Sequence, residues 1–155
     1  MKIVIIGSGN VAYHLAKAFF QKNIPVSQIF GRNELSLKEI SEEFKIPFST
    51  SEIAQADLYL ISVNDDSVEA ISVKILNENA LVAHTSGSLP KEILQGNYRK
   101  ASFYPLQTFS KSKELQYEEI PFFVEAENAE DLEVLRNLAS QISKKVTISD
   151  YEKRK

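Results

Sequence analysis

The sequence predicts an α/β fold: a doubly wound, mostly parallel sheet with helices on both faces. Three observations predict it. Short apolar runs alternate with stretches whose apolar residues recur at the helical period. The first run ends in Gly-Ser-Gly, "KIVIIGSGNVA", and an alanine-rich helical pattern follows at once. The chain has 155 residues and is 43% hydrophobic, enough for one domain with a true core.

The first strand is "KIVII", and the helix after it repeats Val11, Leu15, Ala18 and Phe19 on one face. "VSQIF" (26–30) reads as a second strand, Leu37, Ile40 and Phe44 as a second helix face, and "IPFS" as a short third strand. "LYLISV" (58–63) is the most strand-like segment. Val68, Ile71 and Ile75 mark a helix that Asp66 or Ser67 is placed to cap. "ALVAHTS" (80–86), "ASFYP" (101–105), "PFFVEA" (121–126) and "KVTIS" (145–149) are further strands. A helix with Leu132, Leu135, Leu138 and Ile142 on one face lies between the last two. Asn128 suits its cap, and Glu130 and Asp131 suit its first turn. The least regular stretch is 106–120, expected to cross the sheet edge as a loop. Right-handed crossovers then set most of the topology.

Composition excludes several classes of function. A net charge of −3 with no basic cluster except the terminal "EKRK" argues against nucleic acid as a partner. No cysteine and two distant histidines leave no expected metal site. No apolar run approaches the roughly 20 residues needed to span a bilayer, and the N-terminus does not read as a signal peptide. A cytoplasmic protein with no membrane partner is expected.

Gly7-Ser8-Gly9-Asn10-Val11-Ala12 fits G-x-G-x-x-G/A. The first glycine permits a tight turn, the second lets backbone approach a pyrophosphate, and Ala12 lets helix pack on strand. The helix N-terminus offers N–H groups and a partial positive charge to phosphates. The motif lies between a predicted strand and a predicted helix, which is the context it requires. An NAD site places Asp or Glu about 20 residues onward, at the end of the second strand. Here "IFGRN" stands there. Gly31 offers no carboxylate to repel a 2′-phosphate, and Arg32 and Asn33 are placed to bind one. The expected cofactor is therefore NADP, with NAD less favoured. Glu34 lies close by, and Asn33 also suits a helix cap.

The other strand ends face the same crevice. Val63 and Asn64 are expected to border the ribose or nicotinamide. Asp65 and Asp66 read as helix-start carboxylates. "HTSGSLP" gathers His84, Thr85, Ser86 and Ser88 around Gly87. Two readings stand side by side: Thr85 and Ser86 hold the nicotinamide amide or a substrate carboxylate, or they form a hydroxyl turn with His84 as a half-buried strand residue. His84 and Ser86 are the catalytic candidates, His84 being the histidine placed for acid–base work. His14 reads as a surface residue, one position off the apolar face. Tyr104, Gln107 and Thr108 are placed to face the same crevice, while Tyr104 and the neighbouring phenylalanines read equally as core.

"VIIGSGNVAYHLA", "GRN", "HTSGS" and "FYPLQTFS" together resemble a family of bacterial proteins with a Rossmann-like NADP-binding domain followed by a helical domain. That family is similar to pyrroline-5-carboxylate reductases, β-hydroxyacid dehydrogenases and the NADP oxidoreductases that use a deazaflavin coenzyme. The resemblance covers residues 1–155 as the NAD(P)-binding domain and implies a C-terminal helical domain absent from this chain. In the wider group that domain commonly builds a homodimer, closes the active site and supplies catalytic side chains. The function implied is the cofactor half of an oxidoreductase, moving hydride to or from a small carbonyl, imine or coenzyme partner. The alternative is a module that senses NADP(H), or binds another protein, without turnover.

Overall fold

Each apolar run named above contains a strand. The computed structural model describes residues 1–154. One sheet holds β1 (Ile3–Ile6), β2 (Gln28–Phe30), β3 (Phe48–Ser49), β4 (Leu58–Ile61), β5 (Leu81–His84), β6 (Arg99–Pro105), β7 (Phe122–Ala126) and β8 (Val146–Ile148). Their order across the sheet is β3-β2-β1-β4-β5-β6-β7-β8. The helices are α1 (Asn10–Gln21), α2 (Glu34–Phe44), α3 (Asp65–Ser72), α4 (Ala129–Ile142) and the short α5 (Tyr151–Arg154). Lys155, the last residue of the basic tail, lies outside the described residues.

Neighbouring strands from β3 to β6 pair in parallel, with Ile5 at the centre between Ile29 and Leu60. Among the described residues only β6 and β7 pair antiparallel, Phe103 opposite Val124. Parallel pairing needs a crossover, most often a helix. Residues 106–120 supply only a short 3₁₀ turn at Tyr117–Glu119, so the chain folds back along the same edge. The unit β7-α4-β8 is parallel again.

Side chains alternate between the two faces of the sheet. Ile3, Ile5, Leu58, Leu60, Ala83 and Phe103 pack with α1, α2 and α4. Val4, Ile6, Tyr59, Ile61 and Val82 pack with α3 and with Leu94 and Tyr98. Central strands buried on both faces explain the unbroken apolar runs. Leu37, Ile40 and Phe44 are buried along α2, each stabilising by about 2 kcal/mol.

The helix starts are chemically distinct. Asn128 caps α4: its Oδ1 accepts from the Asp131 N–H at 2.8 Å. Asp131 in turn accepts from Arg99 Nε at 2.6 Å, tying the helix start to the first residue of β6. Helix α3 begins at Asp65 with Asn64 at its cap position and no side-chain cap bond, so neither Asp66 nor Ser67 caps it. His14 corrects the surface expectation: it is 1% exposed. Two hydrogen-bond partners far along the chain make that burial tolerable.

Candidate nucleotide site

The carboxyl ends of β1 and β4 lie side by side, and the chain leaves them in opposite directions, α1 toward β2 and α3 toward β5. At this switch point opens a cleft of about 980 Å³. Gly7, Ser8, Gly9, Asn10 and Val11 all line it.

Gly7 has φ +128°, and its N–H donates to the Phe30 carbonyl at 2.7 Å. A Cβ there would run into the Ser62 carbonyl, so the turn admits only glycine. At Gly9 no atom lies within 4 Å of where a Cβ would sit. That opening lies at the N-terminus of α1. No side chain caps α1 and no acidic residue stands in its first turn. By contrast, α2 carries the Asn33 cap and Glu34, and α4 carries its own cap and acids. The partial charge of α1 is thus left for an anion.

Two of the residues expected at the adenosine end also reach the cleft. Arg32 and Asn33 line the cleft beyond β2. Arg32 makes no hydrogen bond or ion pair among the described residues. Asn33 has its Oδ1 engaged, accepting from Ser36 N–H at 3.1 Å, so it does cap α2. Thr50, just past β3, joins them. From the other side α3 contributes Ser67 and Ile71, and Lys74 follows beyond its end; these three and Thr50 were not expected from sequence. The spacing 67, 71, 74 is one helical face, and that periodicity was a usable signal. The Lys74 ammonium too has no partner among the described residues. Arg32 and Lys74 are the only titratable side chains among the lining residues, which include no carboxylate, imidazole or phenol.

Val63 and Asn64 line the cleft beside Ser62, whose buried Oγ has no hydrogen-bond partner among the described residues. Gln107 and Phe109 close the wall from the segment after β6. Tyr104, Thr108, Thr85 and Ser86 are not lining residues. Thr85 is buried and its hydroxyl donates to the Ile61 carbonyl at 3.2 Å. Ser86 joins a polar chain outside the cleft: its Oγ lies 3.3 Å from Ser88 Oγ, which donates to Asp65 at 2.7 Å.

His84 is 0% exposed. Its Nδ1 accepts from the Ser86 N–H at 3.1 Å, so the proton sits on Nε2, 3.2 Å from the Pro90 carbonyl. Burial, chiefly, lowers its pKa to about 4, and the Arg154 charge adds to the effect. The Arg154 side chain on α5 is itself buried, paired with Glu125 at 2.9 Å and donating to the Leu89 carbonyl at 2.5 Å. Among the described residues no group of three or more His, Asp or Glu forms a metal site, and no helix is long and apolar enough to cross a membrane.

A glycine turn at a parallel-sheet switch point, an uncapped helix N-terminus and a cleft free of carboxylates define a pyridine-nucleotide-binding Rossmann-type domain of the oxidoreductase kind. The family described as "NADP oxidoreductase coenzyme F420-dependent" matches residues 2–87, more than half of the chain, and the chain belongs to it. Among solved structures, it is similar to a candidate NADP oxidoreductase from Bacteroides fragilis, with 38% identity and a TM-score of 0.93 over 99% of this chain and 62% of that one. At 17% identity a prephenate dehydrogenase from A. aeolicus shares the fold, TM-score 0.79, over 99% of this chain and 61% of that one. A pyrroline-5-carboxylate reductase from Streptococcus pyogenes does likewise at 17% identity, TM-score 0.76, over 99% and 60%. The chain thus spans about six-tenths of the length of these relatives. No curated protein matches it.

Proposed function

We propose that the cleft binds NADP(H), and that this chain is the cofactor half of an oxidoreductase acting on a small carbonyl, imine or coenzyme partner. One observation carries the choice of cofactor: the cleft holds two unpaired cations, Arg32 and Lys74, and no carboxylate. A lining of that charge suits a ligand with an extra phosphate, and an acidic residue at the end of β2 would repel it. The opening at Gly9 and the free N–H groups of α1 suit the pyrophosphate. Arg32, with its planar fork of donors, suits the 2′-phosphate, aided by Asn33. Val63 and Asn64 border the nicotinamide side, and Thr85 and Ser86 are kept for that side only if their loop moves.

The bound cofactor would supply hydride; the chain's residues bind, orient and exclude water. No carboxylate, imidazole or phenol lines the cleft, and His84 has both ring nitrogens engaged. In this reading neither His84 nor Ser86 moves the proton, which passes through groups outside the cleft lining. A helical domain, a homodimer and a cytoplasmic site of action belong to the same proposal for the whole protein. The sensor reading is favoured by that same lack of a carboxylate, imidazole or phenol in the cleft. Turnover of NADPH with any member of a panel of carbonyls and imines would exclude the sensor.

The experiment on cofactor choice is Arg32→Ala, read by reduced-nicotinamide fluorescence, which no tryptophan disturbs because the chain has none. NADPH affinity should fall about tenfold, as for one charge-assisted hydrogen bond, with NADH unchanged. Unchanged NADPH affinity would end the argument for Arg32.

A further inference from the structure

The sequence motifs "GSGNVAYHLA" and "FYPLQTFS" are joined physically by one buried side chain. His14 lies one turn along α1 from Asn10. Its Nε2 is 2.6 Å from the Ser110 carbonyl and its Nδ1 is 2.6 Å from the Tyr117 hydroxyl. A carbonyl only accepts, so Nε2 carries the proton and the Tyr117 O–H donates to Nδ1. Burial holds the ring below the ordinary histidine pKa, which keeps the neutral form that both bonds require. The Phe109 ring stacks on the imidazole at 5.2 Å. Lys17 reaches Glu114 at 3.6 Å, a weak exposed tie between the same two segments. Residues 106–116 are therefore a strap fastened to the helix whose N-terminus faces the cleft. The strap leaves from β6, on the side of the sheet opposite Arg32 and Thr50, and puts Gln107 and Phe109 into the cleft wall.

We propose that His14 is a positioning residue for nucleotide binding, fastening the strap so that Gln107 and Phe109 wall the nicotinamide half of the dinucleotide. The inference rests on the NADP(H) reading above and adds a residue remote from the ligand. With the strap released, the adenosine half keeps its contacts with α1 and Arg32, while the nicotinamide half loses one wall.

The test is a titration of the full chain and its His14→Ala, His14→Gln and Tyr117→Phe variants with NADPH and, separately, with 2′,5′-ADP. His14→Ala should weaken NADPH about tenfold, as for the loss of one or two hydrogen bonds, and leave 2′,5′-ADP within about twofold. His14→Gln keeps a donor and an acceptor and should recover most of the loss. Equal losses for both ligands in a folded variant would mark a merely structural residue and overturn the proposal. If His14→Ala does not fold, Tyr117→Phe carries the test, with a loss of about threefold expected for NADPH alone. Wild-type binding with every variant unaffected overturns the proposal and spares the NADP(H) reading. No binding of either ligand by the wild type overturns both.

Discussion

Replacing Gly7 and Gly9 one at a time by alanine should give opposite phenotypes, and the structure sets both magnitudes. At Gly7 the backbone has φ +128°, and a Cβ would collide with the Ser62 carbonyl. Backbone strain of this kind costs about 1–3 kcal/mol, and moving β4's end adds to it, so a loss of about 3 kcal/mol is expected. For a chain of this size each kcal/mol lowers Tm by about 2–4 °C, giving a fall of about 10 °C. Gly9 has φ −84° and no neighbour within 4 Å of a Cβ. Alanine at that cap position costs about 0.5–1 kcal/mol, and restricting the unfolded chain returns about as much. Stability should hardly change. The new methyl group stands where a pyrophosphate must approach the α1 N–H groups, and losing one charge-assisted contact costs about 2 kcal/mol, or about thirtyfold in Kd. Thermal unfolding by circular dichroism and NADPH titration read the two effects separately. Gly7→Ala as stable as wild type, or Gly9→Ala binding NADPH as tightly, would refute the reasoning.

Three further outcomes follow from other parts of the fold. His84 is neutral when folded down to pH about 4, whereas its unfolded value is 6.5. Between those values the unfolded chain binds more protons. Its contribution is therefore complete above pH 6.5 and lost as pH falls toward 4, about 3 kcal/mol in all. Denaturant titration across that range should show this fall in wild type and a shallower one in His84→Asn; parallel curves would contradict it. Asp131→Ala leaves Arg99 and Asn128 without their shared acceptor and should cost about 1–2 kcal/mol in urea unfolding, discounted because Arg99 is half-exposed. Lys74→Glu should weaken NADPH about tenfold or more by placing a like charge beside the phosphates, with Tm unchanged; equal affinity would remove Lys74 from the site.

The fold was legible because its strands are buried on both faces. "LYLI" and "LVAH" are continuous apolar runs for that reason, and the glycine turn marks where the first one ends. Strand direction was not legible at β7: "PFFVEA" has the same pattern either way, and only the missing crossover helix decides. The glycine turn that lines the cleft could be read locally, since Gly7 through Val11 are consecutive. The spacing 67, 71, 74 marks one helical face, but that this face meets Thr50 was not legible, because only the fold brings it and the end of β3 to the cleft. His14 was misjudged for a related reason. An imidazole off the apolar face is buried at low cost only through Ser110 and Tyr117, 96 and 103 residues away. Arg154 likewise reads as part of a charged tail, yet it is 1% exposed against Glu125.

The central claim is that the cleft beside Gly7 and Gly9 is built for NADP(H). Calorimetric titration of the wild-type chain with NADPH and NADH, side by side at low ionic strength, tests it most directly. Saturable binding of one NADPH per chain is predicted, with NADH weaker by about tenfold or more, the worth of the Arg32 contact. NADH binding as tightly as NADPH, or neither binding at all, would contradict it.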